Sequence, residues 1–423
     1  LVRFDESLDL RTVAEAIALN KGVERVEYDI KLHRIVGKAE PAPASRPEPT
    51  RSQEMPFDDP ELPWQWHYYN DGSLSDDTAA GADINLLNAW KYTAGDNRVI
   101  VAVLDGGVMA NHPDLEANMW VNEAEKSGTA GVDDDGNGYV DDINGYNFVA
   151  GSGAITADAH GTHVAGTISA VNNNGYAVCG IAGGTGKGDG VKIMSLQIFE
   201  NDESCYSHQI AKAFIYAADN GAVIANNSWG YTPNTYLSDS EYERYDSVLK
   251  DAVEYFESNA RLEGVIEGGV AIFAAGNEAA TAADYPGAYN KYIAVSAMSA
   301  DYTATYYTNY GPGVNICAPG GDLTYGTIMG ISSTSVDLSY GYEYMQGTSM
   351  ATPHVSGCAA LALSYALKRG YSFTSDEFRR LIVTSTHDIN THQIGSKRYF
   401  DYDLGRWKSI SLEPYKGKLG GGY

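Results

Sequence analysis

The chain has 423 residues, 43% hydrophobic and 20% charged, which suffices for a large core and excludes a largely disordered chain. Lys and Arg total 29 against 55 Asp and Glu, so the formal charge is −26 and nucleic acid, with its phosphate backbone, is not an expected partner. Such a carboxylate surplus serves solubility and also suits an extracellular protein that binds calcium.

In chain order, residues 2–4, the amphipathic run Leu10, Val13, Ala14 and Ile17, and Val23 to Tyr28 predict strand, helix, strand. This is a small β-α-β unit over 1–37. Residues 38–57 hold Pro41, Pro43, Pro47 and Pro49, a linker composition that forms neither a helix nor a central strand. Short apolar runs then alternate with helical patterns: strands at Val99–Leu104, Val191–Leu196, Ala222–Ala225, Val270–Ala275 and Tyr292–Ala297, helices at Ser207–Asp219, Tyr245–Ser258 and Met350–Lys368. The alternation predicts an α/β domain with a mainly parallel central sheet flanked by helices, with chemistry at the carboxyl ends of its strands. Residues 413–423 read as a Gly-rich tail. No run reaches the roughly 20 apolar residues of a membrane span, and the chain opens with Leu1 and no basic-then-apolar leader. Of the four cysteines, Cys317 and Cys358 are expected as buried free thiols, while a bridge from Cys179 to Cys205 stays open.

Three segments carry polar residues where chemistry is expected. Val99–Leu104 ends in Asp105-Gly106-Gly107. His160-Gly161-Thr162-His163-Val164-Ala165-Gly166 opens a helix with a His. Gly347-Thr348-Ser349-Met350-Ala351-Thr352-Pro353-His354 puts a Ser at the N-terminus of a long apolar helix, whose free N–H groups favour negative charge. Each alone is a turn or a cap. Together, in the order Asp, His, Ser, they resemble the subtilisin-like serine peptidases, the subtilases, over roughly 58–412.

The resemblance implies a three-layer fold and an acyl-enzyme mechanism with Ser349 as nucleophile, His160 as general base and Asp105 orienting it. His163 is read as structural. In Ala274-Ala275-Gly276-Asn277-Glu278, Asn277 matches the side-chain oxyanion donor, with the Ser349 backbone N–H beside it. Asn227-Ser228-Trp229-Gly230 matches the segment that pairs with substrate backbone and lines the first specificity pocket, which in relatives often accepts large apolar side chains. The N-terminal unit resembles the second half of a propeptide, giving the enzyme its own segment as partner beside protein or peptide substrates, with processing expected in Ser52–Asp58.

Asp133, Asp135 and Asn137 alternate as oxygen ligands, followed by the Tyr139 carbonyl, like the opening of an EF-hand loop. Position 144 is Asn, so Asp142 is the expected closing ligand for calcium. The resemblance alone implies a second calcium site at Asp59, Asp114 and Asn174. The expected function is a secreted or cell-surface, calcium-stabilised serine endopeptidase made as a zymogen. The alternatives are a non-catalytic extracellular binding module on the same fold and a calcium-binding structural module.

Overall fold

The computed structural model describes residues 8–23, 25–32, 38–43, 54–201, 203–401 and 404–423. The strand expected at 2–4, and part of the expected processing window, lie outside them. Helix α1 (Leu10–Ala18) begins at Asp9, whose carboxylate accepts from Thr12 N–H at 2.8 Å. The strand expected at Val23–Tyr28 does not form among the described residues; residues 28–32 instead lie along the α/β domain. Tyr28 N–H donates to Tyr245 O at 2.5 Å, Lys31 makes an isolated antiparallel bridge with Tyr206, and Leu32 N–H donates to Cys205 O at 3.1 Å. The expected linker also has structure: Ala39–Pro41 pairs antiparallel with Tyr342–Met345. It does so as an edge strand, where Pro41 is tolerated without its N–H.

Seven parallel strands form the central sheet: β1 (Ile100–Asp105), β2 (Gly145–Asn147), β3 (Lys192–Gln197), β4 (Ile224–Asn227), β5 (Val270–Ala274), β6 (Ile293–Met298) and β7 (Val314–Pro319), in the order β7-β6-β5-β4-β1-β3-β2. Strands buried on both faces read as continuous apolar runs, which is why β1, β5 and β6 were legible. Within β1, Val101 and Val103 enter one core, with α2 (Ala159–Ser169) and α5 (Thr348–Arg369). Ala102 and Leu104 enter the other, with α3 (Ser207–Asp219) and α4 (Ser247–Asn259). The chain crosses from one side of β1 to the other between β3 and β4, so the carboxyl ends of β1, β4 and β5 border a crevice.

Three further features bear on the expectations, and one of them, the burial of Cys358, is corrected. The Gly-rich tail, residues 413–423, packs on the domain: Tyr415 and Leu419 are buried, Gly421 N–H donates to Asn315 O, and Cys317 N–H donates to Gly422 O at 2.7 Å. The segment covers the otherwise unpaired outer edge of β7. No Cys179–Cys205 bridge forms, and all four thiols are free. Cys358 is exposed rather than buried, because it stands in α5 on the wall of a surface cavity of about 510 Å³.

Candidate active site

Asp105 ends β1, and His160 stands in the first turn of α2, whose N-cap Asp158 accepts from Gly161 N–H at 3.0 Å. A Cβ on Gly161 would lie 2.8 Å from Gly107 O, so this glycine lets the helix close onto the Gly106-Gly107 turn. The result is a buried pair: His160 Nδ1 is 2.8 and 3.0 Å from the two Asp105 oxygens. Gly106 N–H donates to Asp105 Oδ1 at 2.7 Å and fixes the carboxylate. On the other side of the ring, His160 Nε2 is buried and has no hydrogen-bond partner among the described residues. His163, one turn on, bonds Ile331 O at 2.9 Å through Nε2, and burial pushes its imidazole down to about 3, which keeps it neutral.

Ser349 stands in the first turn of α5. Pro353 lacks the N–H that would bond the Ser349 carbonyl four residues back, and that carbonyl accepts from Ser228 Oγ at 2.9 Å instead. Ser228 Oγ is steadied by Asn226 Nδ2–H at 3.1 Å. The hydroxyl Ser349 Oγ donates to Ser228 O at 3.2 Å, so the expected bond to His160 Nε2 is not made in this conformation. Catalytic hydrogen bonds are often loose without substrate. Asn277, just past β5, accepts from Thr348 N–H and Thr348 Oγ–H through Oδ1, both at 2.9 Å. Its Nδ2 is buried and without a partner among the described residues. Trp229 is buried edge-to-face on Phe273, with ring centroids 5.4 Å apart, and Gly230 is buried beside it. Sequence reasoning missed His67, whose Nδ1 lies 2.8 Å from His354 Nε2 beneath Ser349's helix. No local pattern marks it.

The acidic loop converges on itself. Asp133 accepts from the N–H groups of Gly136, Asn137 and Gly138. Asp142 is buried and bound by Tyr216 Oη–H at 2.5 Å, Asn137 Nδ2–H and Asn122 Nδ2–H. The Asn137 side-chain oxygen accepts from Tyr139 N–H at 2.7 Å. Ligand atoms of Glu125, Asp133 and Asp135 lie within 4.8 Å of one another. Glu125 was not foreseen. Elsewhere, Asp59, Asp114 and Asn174 also meet: Asn174 Nδ2–H donates to Asp114 Oδ1 at 2.8 Å, and Asn174 N–H to Asp59 Oδ1 at 3.3 Å. Burial raises both carboxyl groups, and neither has an ion-pair partner among the described residues.

The subtilase family pattern matches residues 96–402, and the chain belongs to that family, a family of serine peptidases. It is 32% identical to thermitase of Thermoactinomyces vulgaris, over 70% of this chain and 85% of that protein. It is 31% identical to a thermophilic serine proteinase of Bacillus sp. (strain AK1), over 77% of this chain and 64% of that protein, so it spans under two thirds of that relative. Among solved structures, a protease of Pseudoalteromonas arctica superposes with a TM-score of 0.58 at 27% identity, over 79% of this chain and 93% of that one. Among the described residues, no helix is long and apolar enough to cross a membrane.

Proposed function

We propose that this chain is a serine endopeptidase in which Ser349 attacks the scissile carbonyl, His160 takes and returns the proton, and Asp105 holds the imidazole. What carries the reading is a pair of buried nitrogens without partners, His160 Nε2 and Asn277 Nδ2, on the segments that border the crevice at Ser349. Each is what acyl transfer lacks in water: a positioned base, and a donor waiting for negative charge on oxygen. Asn277 Oδ1 is already committed to Thr348, which orients the amide so that Nδ2 remains to donate. Ser228, Trp229 and Gly230 would pair with the substrate backbone as an added strand.

Calcium is proposed as a structural ion. The oxygen-only donor set of Asp133, Asp135 and Glu125, with the Asn137 side chain, the Tyr139 carbonyl and Asp142 around it, suits a hard cation that neutralises their mutual repulsion. A second ion at Asp59, Asp114 and Asn174 would offset two buried carboxylates. Sites of this chemistry fill at extracellular calcium levels, which fits a secreted or cell-surface protein.

The N-terminal residues are proposed as a latency segment. Asp29 lies at the N-terminus of α3, with its Oδ1 2.8 Å from His208 Nδ1, and Ser247 Oγ–H at the start of α4 donates to Glu27 at 2.5 Å. Carboxylates there complement the helix dipoles. Ala39–Pro41 pairs with the strand that leads into Gly347-Thr348-Ser349. The deciding experiment is fluorophosphonate labelling and peptide hydrolysis by the processed chain, beginning near Asp58, and by its Ser349→Ala variant. Labelling and turnover should both vanish in the variant, and undiminished hydrolysis by pure Ser349→Ala would refute the assignment.

A further inference from the structure

β4 and β5 are parallel neighbours, with Phe273 opposite Asn227, and beyond the sheet they continue as two walls, Ser228-Trp229-Gly230 and Ala275-Gly276-Asn277. The mouth between them is at Ser349, which bonds Ser228, and at Asn277, which bonds Thr348. The far end is closed by two consecutive residues tied to opposite walls. Asp284 N–H donates to Ala275 O at 2.9 Å, and Tyr231 N–H donates to Tyr285 O at 2.8 Å.

Asp284 therefore stands at the far end of the two walls whose near end is at Ser349. It is 7% exposed, and it meets Glu278 there. A Cβ on Gly276 would collide with Asp284 Oδ2, Glu278 Oε2 and Asn309 Nδ2, which shows how closely the three gather on that wall. Donors are short. Asn309 Nδ2 has two protons and faces three acceptors: Ala275 O at 3.0 Å, Glu278 Oε2 at 2.9 Å and Asp284 Oδ2 at 3.0 Å. Neither carboxyl has an ion-pair partner among the described residues. Asp284 and Tyr285 also border a cavity of about 560 Å³ whose lining includes Asp239 and no Lys or Arg. Burial, with the Glu278 carboxylate next, raises the Asp284 carboxyl, so the two acids keep a proton between them while no cation faces them.

Resting on the peptidase reading above, we propose that this crevice receives the substrate side chain on the acyl side of the scissile bond, and that Glu278 and Asp284 select Lys or Arg there. An ammonium or guanidinium brings several donors and a positive charge to a site rich in acceptors and poor in both. An apolar side chain would bury the same acceptors without satisfying them. This differs from the large apolar preference that the family resemblance suggests.

The test uses peptide anilides identical except for Lys, Arg, Gln, Leu or Phe at that residue. The kcat/KM for Lys and Arg should exceed that for Leu and Phe by at least about tenfold, and Glu278→Gln and Asp284→Asn should each shrink that ratio. A wild type that prefers Leu or Phe overturns the proposal, as does a ratio unmoved in both variants while all rates fall together, the mark of a merely structural pair. Calorimetry with benzamidine reads the crevice without turnover. Benzamidine should bind and neutral benzamide should not, and Asp284→Asn should abolish the difference. Equal binding of the two overturns the proposal even in an active enzyme. Absent fluorophosphonate labelling of the processed chain beginning near Asp58, with benzamidine still bound, would instead condemn the peptidase reading.

Discussion

His160 Nδ1 lies 2.8 Å from Asp105 Oδ1, while the Nε2 of the same ring is left without a partner among the described residues. The carboxylate thus fixes both the tautomer and the direction in which the ring offers its lone pair. Asp105→Asn keeps the shape and presents an amide that can donate to Nδ1, favouring the wrong tautomer. The expected result is a fall in kcat of about four orders of magnitude with little change in unfolding temperature. Steady-state hydrolysis beside a thermal melt checks it, and a loss under tenfold would count against Asp105 in this role.

Pro353 and Ser228 form a second linked pair, because the proline frees the carbonyl that the serine hydroxyl satisfies. Ser228→Ala should cost about 1 kcal/mol of unfolding free energy by leaving a buried acceptor unpaired. In a Pro353→Ala background the new N–H can reach the Ser349 carbonyl, so the same serine change should cost less. Denaturant melts of the four proteins measure this. Strict additivity would mean that the two residues do not share the carbonyl.

The contrast between what the sequence disclosed and what it hid follows from range. β1 and α3 are written in local periodicity, whereas Asp105, His160 and Ser349, each alone a turn or a cap, could be named only because their three segments together resemble the subtilases. Glu125 joins the acidic loop from a neighbouring helix, and Tyr216 reaches Asp142 across 74 positions. Neither leaves a mark at short spacing. Val23–Tyr28 carried a strand pattern, yet Tyr28 finds its partners in the Tyr245 carbonyl and in the Tyr245 ring, stacked with centroids 4.5 Å apart. The glycines near the C-terminus read only as a Gly-rich tail, because nothing local shows that β7 has an edge for it to cover.

Calcium should raise the unfolding temperature, since an ion that binds only the folded chain stabilises it by mass action. Glu125→Gln with Asp135→Asn should lower the bound stoichiometry by one and remove most of the chelator's effect on the melt. Metal analysis after gel filtration in calcium checks the count. An unchanged count would exclude these two carboxylates as ligands.

Asp246, at the N-terminus of α4, is fully buried and accepts from Tyr231 Oη–H at 2.5 Å. Burial pushes its carboxyl up to about 7. The folded protein therefore holds this proton at pH values where the unfolded chain, with an ordinary carboxyl near 4, has lost it. Between those values the native state binds more protons, so the contribution of Asp246 to stability falls as pH rises from about 4 to 7 and stays low above. Asp246→Asn should remove this slope: the variant gains in unfolding temperature relative to wild type as pH goes from 5 to 8. Parallel profiles would show that Asp246 is not the group responsible.

The latency proposed for the N-terminal segment would depend on two carboxylates at two helix ends. Glu27 meets Ser247 at the start of α4 and Asp29 meets His208 at the start of α3, so α1 and the stretch after it are held against the domain that carries Ser349. While the segment is covalently joined, its effective concentration is roughly millimolar, so modest contacts keep it in place. Weakening those contacts should matter little in the uncut chain and strongly after cleavage. The N-terminal segment, added in trans to an active chain beginning near Asp58, should slow fluorophosphonate labelling of Ser349. The same segment carrying Glu27→Gln and Asp29→Asn should inhibit with a higher inhibition constant. Labelling of the uncut chain at the full rate from the first minute would make the N-terminal unit an accessory domain. Equal inhibition by both segments would place the affinity elsewhere, on Tyr28 against Tyr245 or on the strand Ala39–Pro41.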